Sequence, residues 1–144
     1  VDGQIIAGPR KLQGSGFHDT HQLLLQGKAT GTAAPTNTTL VVIACSAHLT
    51  KEEITKLAQQ AQNGIALAIR PAHTTGDGDI VFGLATSQND ERLPLNQLGV
   101  AATEVTSRAI INAVNAAQSL GGIPSASDYL TSRTTRRQTQ RKQP

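Results

Sequence analysis

Aromatic side chains are almost missing from these 144 residues: two Phe, one Tyr and no Trp. A nucleic-acid surface that stacks bases on aromatic platforms is thereby nearly excluded. The core has to be built from Ala, Val, Ile and Leu. One cysteine, Cys45, excludes an internal disulfide and a cysteine-based zinc site. No apolar run reaches the ~18 residues that a membrane helix needs. The opening Val1-Asp2-Gly3-Gln4 lacks both an initiator Met and a signal-peptide pattern. The expectation is a chain cut from something longer, in a cytoplasmic location and without a membrane partner. The hydrophobic fraction is 38%, low until the 13 glycines are added, after which a packed core is within reach.

Acids are also missing from the end of the chain. Residues 131–144 carry Arg133, Arg136, Arg137, Arg141 and Lys142, five of the 13 basic residues, and no acid. The body is left with eight bases against all ten acids, so the net charge of +3 belongs to the tail. A solvated, disordered end is the expected reading, because such tails lack the apolar residues that would order them. A nucleic-acid arm is the alternative, and nucleic acid is not the expected partner.

Short apolar runs and turn signals alternate over residues 1–30. Gly8-Pro9 is a turn pair, and His18 to Gly27 suits a short helix ended by Gly27. Residues 26–38 have no periodicity and read as an exposed linker. From Thr39 to Ala44 the chain is β-branched and continuous, as in a strand covered on both faces. Thr50 and Glu53 make a capping box for a helix carrying Ile54, Leu57, Ala58, Ala61, Ile65 and Ala68 on one stripe. Pro71 ends it. A polar loop over 72–79 leads into a second strand, Ile80 to Ala85. A long alanine-rich helix is predicted from about Asn96 to Leu120, stopped by Gly121-Gly122. Strand, helix, strand, helix is an α/β or layered α+β order. Two strands are too few for a stable sheet, so further strands come from residues 1–38 or from outside this chain.

Two places could carry chemistry. At Asn37-Thr38 a threonine hydroxyl could attack the preceding carbonyl, turn the amide into an ester and, after hydrolysis, leave Thr38 as a new N-terminus. That residue would then hold both a nucleophile and an α-amine with a reference pKa of about 7.7–8.0, a usable base. Read locally, a plain loop-to-strand junction is the commoner meaning. The second place is Gly76-Asp77-Gly78-Asp79, where the glycines allow a close approach of the backbone. It reads locally as an exposed acidic turn. The alternatives are a divalent-metal site using Asp77, Asp79 and His73, or a carboxylate pair that orients an amine and a hydroxyl. The calcium-loop spacing is absent. Cys45, at the end of the first strand, reads as a small core hydrophobe. His18, His21 and His48 show no ligand spacing.

Taken together, Asn37-Thr38-Thr39-Leu40-Val41-Val42, the capped helix, Ile69 to Thr74 and Asp77 to Thr86 resemble the C-terminal part of the DmpA-type L-aminopeptidase/D-esterase family. Arg108 to Ile111, Gly121 to Pro124, Ile6 to Arg10 and Gly14 to Asp19 extend the resemblance over roughly residues 1–130. The Asn-Thr junction and the paired aspartates resemble the nylon-oligomer hydrolase branch.

The resemblance implies an autoprocessed N-terminal-nucleophile hydrolase within a four-layer αββα sandwich. Residues 1–37 would end the α chain and include the cleavage linker, 38–130 would form the β chain, and 131–144 would be a tail outside the family pattern. Thr38 would be the nucleophile and α-amine base, Asn37 the residue before the scissile bond, and Asp77 and Asp79 the groups that position the Thr38 hydroxyl and amine. An upstream α-chain segment would supply a lysine and an oxyanion-hole asparagine. The other partners implied are a small peptide or amide substrate and further copies of the protein, with no metal or organic cofactor. An acyltransferase of the same fold, and a catalytically incomplete binding piece, are the remaining readings.

Overall fold

The computed structural model describes residues 3–12, 16–28, 37–89 and 92–131. The chain divides into two compact units, Val1–Thr30 with Asn112–Pro144, and Gly31–Ile111. The tail beyond Thr131 and most of the linker lie outside the described residues.

The first unit contains α1 (Thr20–Leu25); the second is mixed α/β, with β1 (Leu40–Ala47), α2 (Lys51–Ala68), β2 (Ile80–Asn89) and the part of α3 (Leu95–Ala116) up to Ile111. β1 and β2 pair in parallel, Leu40 opposite Ile80 through Cys45 opposite Ala85, with an irregularity between Cys45 and Ala47. α2 starts as the sequence predicts. The Thr50 hydroxyl accepts from the Glu53 amide and the Glu53 carboxylate accepts from the Thr50 amide at 2.8 Å, so two free N–H groups of the first turn are satisfied. The helix closes at Ala68, and Ile69 is already extended two residues before Pro71.

The core lies where one face of the sheet meets the helices. Leu57 and Ala61 of α2 and Ala102 of α3 are buried, with Ile43, Cys45, Ile54, Val81 and Leu98 packed against them. Cys45 thus serves as a half-buried apolar side chain. The helices approach closely because α2 offers Gly64, where a Cβ would collide with the Thr103 carbonyl oxygen of α3. The Thr103 hydroxyl donates to the Gln60 carbonyl at 2.8 Å across the same crossing.

The expectation of a strand covered on both faces holds on one face only. Along β1 the side chains alternate, and Leu40 and Val42 are 71% and 68% exposed. Ile80, Phe82 and Leu84 of β2 are exposed as well. The continuous apolar run therefore does not report its own cover: the helices protect the residues on one side, and none of the described elements lies over the other.

α3 ends at Ala116, not Leu120. The glycines that were read as its stop serve a separate turn: Gly121 and Gly122 take φ of 59° and 78° between Leu120 and Ile123, which exchange backbone hydrogen bonds at 3.1 and 3.0 Å.

The first unit is held mainly around Tyr129, on a helical stretch over 126–131. Its ring meets Phe17 at 5.4 Å between centroids, and the Arg10 guanidinium lies 5.7 Å from its centre. Two of the three aromatic residues in the chain are thus spent on one contact. α1 is capped by Asp19, whose Oδ1 accepts from the Gln22 amide, and Gly27 closes it at φ 64°.

Candidate active site

The site is built by the two segments that run into the parallel strands. The ladder between β1 and β2 continues toward their N-terminal ends. The Ile80 amide donates to the Thr39 carbonyl at 3.0 Å, and the Gly78 amide donates to the Asn37 carbonyl at 2.9 Å. Asn37 and Asp77 form a parallel bridge. Residues 37–39 and 77–79 therefore lie side by side. The pairing that holds the strands together also brings the two sequence motifs into contact, although Thr38 and Asp77 are 39 positions apart along the chain.

Asp79 is the best-tied group. Its side chain is 7% exposed. Oδ1 accepts from the Thr39 amide at 2.9 Å, while Oδ2 accepts from the His73 amide at 3.3 Å and lies 3.1 Å from His73 Nδ1. Burial pushes this carboxyl up, but the Thr39 side chain and amide, the His73 amide and the His73 charge together outweigh it and hold it below the ordinary aspartate value of 3.8. Asp79 thus remains a carboxylate in a nearly closed position, and it fixes the amide of the residue after Thr38.

Asp77 does different work. Its Oδ2 accepts from the Thr74 amide at 2.7 Å, and its own amide donates to the Thr74 carbonyl at 3.0 Å, which closes the loop before β2. His73 holds the other end of that loop. It takes a left-handed conformation at φ 56°, a region where histidine is enriched among non-glycine residues. This turns both its amide and Nδ1 toward Asp79, while Nε2 lies 3.3 Å from the Gln62 carbonyl of α2. His73 therefore links α2 to the Asp79 carboxylate.

Asn37, Thr38, Thr39, Asp77 and Asp79 line one cavity of about 410 Å³ together with Ile69, Pro71 and Ala72. All four of the site residues expected from sequence, Asn37, Thr38, Asp77 and Asp79, stand on this cavity. Neither aspartate is hydrogen-bonded to Thr38 among the described residues; one holds the Thr39 amide and the other the Thr74 amide. The metal alternative has Asp79 facing protein donors on both oxygens, and no three His, Cys, Asp or Glu side chains gather as a ligand set among the described residues.

Two further residues belong to the site. His73 is the partner of Asp79, a role that its closeness in sequence hinted at only as metal ligation. Gly78 packs directly against Thr38, since a Cβ there would lie 2.9 Å from Thr38 Oγ1. Its glycine neighbours the two aspartates in sequence, but only the strand pairing reveals what approaches it.

A hydroxyl-bearing strand entry thus lies beside a strand entry with two carboxylates, and the chain belongs to peptidase family S58, whose sequence pattern matches residues 10–127. Among similar proteins is an uncharacterized aminopeptidase of Mycobacterium leprae, 40% identical over 101 residues, which cover 61% of this chain and 28% of that protein. Uncharacterized aminopeptidases of Mycobacterium bovis and Mycobacterium tuberculosis are each 38% identical over 107 residues, 65% of this chain and 31% of theirs. The chain thus spans less than a third of the length of these relatives. Family and relatives together support a hydrolase of the peptidase class.

Proposed function

We propose that this chain carries the nucleophile of an autoprocessing amidohydrolase, which cuts itself at Asn37-Thr38 and then hydrolyses amide bonds of small peptides, amino-acid amides or amide oligomers. The observation that carries the reading is the convergence of Asn37, Thr38, Asp77 and Asp79 on one cavity in a member of a peptidase family.

In this reading Thr38 Oγ attacks the substrate carbonyl, forms an ester and expels the amine. Water, activated by the freed Thr38 α-amine, then releases the acid. Asp79 positions Thr38 through the next residue's amide, and Asp77 fixes the loop that brings Asp79 there. The resemblance to the nylon-oligomer branch supports an extended amide as substrate. The uncovered apolar face of β1 and β2, and the greater length of the relatives, support a four-layer sandwich completed by an upstream α chain, in an assembly of several copies.

Thr38→Ala in the full-length protein tests this. The expected result is loss of both self-cleavage, read by intact mass, and release of amine from amide substrates. A variant that still cuts at residue 37, or still turns over, removes Thr38 from the reaction.

A further inference from the structure

Two atoms of the Asn37-Thr38 junction meet the same residue. The Asn37 carbonyl oxygen accepts from the Gly78 amide at 2.9 Å, and Thr38 Oγ1 lies 2.9 Å from the place a Gly78 Cβ would take. In self-cleavage these are the oxygen that gains negative charge and the oxygen that attacks. We propose that the Gly78 N–H is the oxyanion donor for cleavage of the Asn37-Thr38 bond, and that residue 78 lacks a side chain so that the attacking hydroxyl has room. The inference rests on the self-cleavage reading above and gives that step a donor within this chain.

Thr38 Oγ forms a bond to the Asn37 carbonyl carbon, and the carbonyl π pair moves onto oxygen, where the Gly78 N–H holds it. The Oγ proton passes through solvent in the open cavity to the Thr38 nitrogen. The pair returns, the C–N bond breaks, and an ester with a free amine remains. Water then adds to the ester carbon, its proton returns Oγ to a hydroxyl, and Asn37 leaves as a carboxylic acid.

The Gly78 nitrogen stands 2.9 Å from the ground-state carbonyl oxygen, and the sheet fixes it there before charge develops on that oxygen. The electrostatics make it useful. Asp77 and Asp79 flank Gly78 in sequence, and negative charge beside the site opposes an oxyanion. Both carboxylates are engaged elsewhere, Asp77 by the Thr74 amide and Asp79 by the Thr39 amide and His73. The Gly78 N–H therefore points at the scissile carbonyl without competition from them.

The test replaces one backbone atom in the full-length protein. A glycolate at position 78 turns its N–H into an ester oxygen, and self-cleavage is timed by intact mass. Loss of one oxyanion donor is expected to slow cleavage by ~10²–10³-fold. The control is the corresponding ester at Ile80, which removes the neighbouring ladder bond to the Thr39 carbonyl and is expected to cut at close to the unmodified rate. Unmodified cleavage in the position-78 ester, or equal slowing in both esters, overturns the proposal and leaves a ladder bond only. A native protein that never cuts at residue 37 instead overturns the self-cleavage reading, and this inference with it.

A second measurement does not depend on cleavage. With ¹³C at the Asn37 carbonyl of an uncut Thr38→Ala protein, the carbonyl stretch is expected to rise when the position-78 ester is introduced. An unchanged frequency shows that the donor does not act on that oxygen, and contradicts the proposal.

Discussion

The chain enters β1 and β2 through two neighbouring segments, 37–39 and 77–79, which have the same place in the topology and opposite chemistry. The first presents two threonine hydroxyls, two backbone carbonyl acceptors and the Thr39 amide. The second presents two carboxylates and the amide of Gly78, a residue with no side chain, with the Ile80 amide as the next donor along the strand. Each supplies what the other lacks. The difference teaches that the parallel pairing is more than scaffolding here. The same ladder that registers Leu40 with Ile80 also sets residues 37–39 against the two aspartates.

The largest effect is expected from removing the Thr38 hydroxyl from the first segment. Thr38→Ala should reduce amide turnover by roughly 10³-fold or more, since a group acting as nucleophile has no substitute. Amine release from a dipeptide amide measures it. Asp79→Asn comes next. The amide side chain can still accept from Thr39 but loses its charge, and a hydrogen bond to a charged group contributes about 1.5–3 kcal/mol. A fall in turnover of about ten- to a hundredfold follows if that difference appears in the barrier. Wild-type activity in this variant would separate Asp79 from the reaction.

Asp79 also predicts a pH effect of defined sign. Its folded carboxyl sits below the ordinary 3.8, so its contribution to stability is present above that value and is lost as pH falls through the lowered one. Acid unfolding of Asp79→Asn should accordingly be flatter below about pH 4 than that of the native protein, where the carboxylate of an unfolded chain would begin to protonate. Identical acid-unfolding curves would contradict the assignment.

Asp77→Ala should act more weakly, slowing turnover about tenfold by loosening the Thr74–Asp77 turn, a bond of about 1–1.5 kcal/mol. Smallest of all is His73→Gln. Asp79 retains the backbone amides of residues 39 and 73 as donors, so turnover should change by less than tenfold while the acid-unfolding midpoint moves to higher pH. An unmoved midpoint would reduce His73 to a purely local role in the loop.

Much of this site was legible in the chain. The Thr50–Glu53 box fixes the start of α2 by local hydrogen bonds, and local signals of that kind read well. The motifs single out Asn37, Thr38, Asp77 and Asp79, and the structure brings these four to one cavity. The bond between Asp79 and the Thr39 amide was not legible, because nothing local says which amide a carboxylate reaches when strand pairing chooses its neighbour. Gly78 looked like turn chemistry until Thr38 was beside it. The end of α3 was misplaced because Gly121-Gly122 is as good a signal for an isolated turn as for a helix stop. The uncovered face of Leu40, Val42 and Phe82 was invisible in a run that is apolar at every position. The contact of Phe17 with Tyr129 joins residues more than a hundred positions apart, with no periodicity to announce it.

Whether the pairing of 37–39 with 77–79 assembles a self-cleaving bond is read from the intact mass of the purified full-length protein, with N-terminal sequencing of the smaller product. The expected result is a cut between Asn37 and Thr38, a new N-terminus reading Thr38-Thr39-Leu40-Val41, and no cut in Thr38→Ala. A full-length protein that hydrolyses amides while this bond stays intact would contradict it.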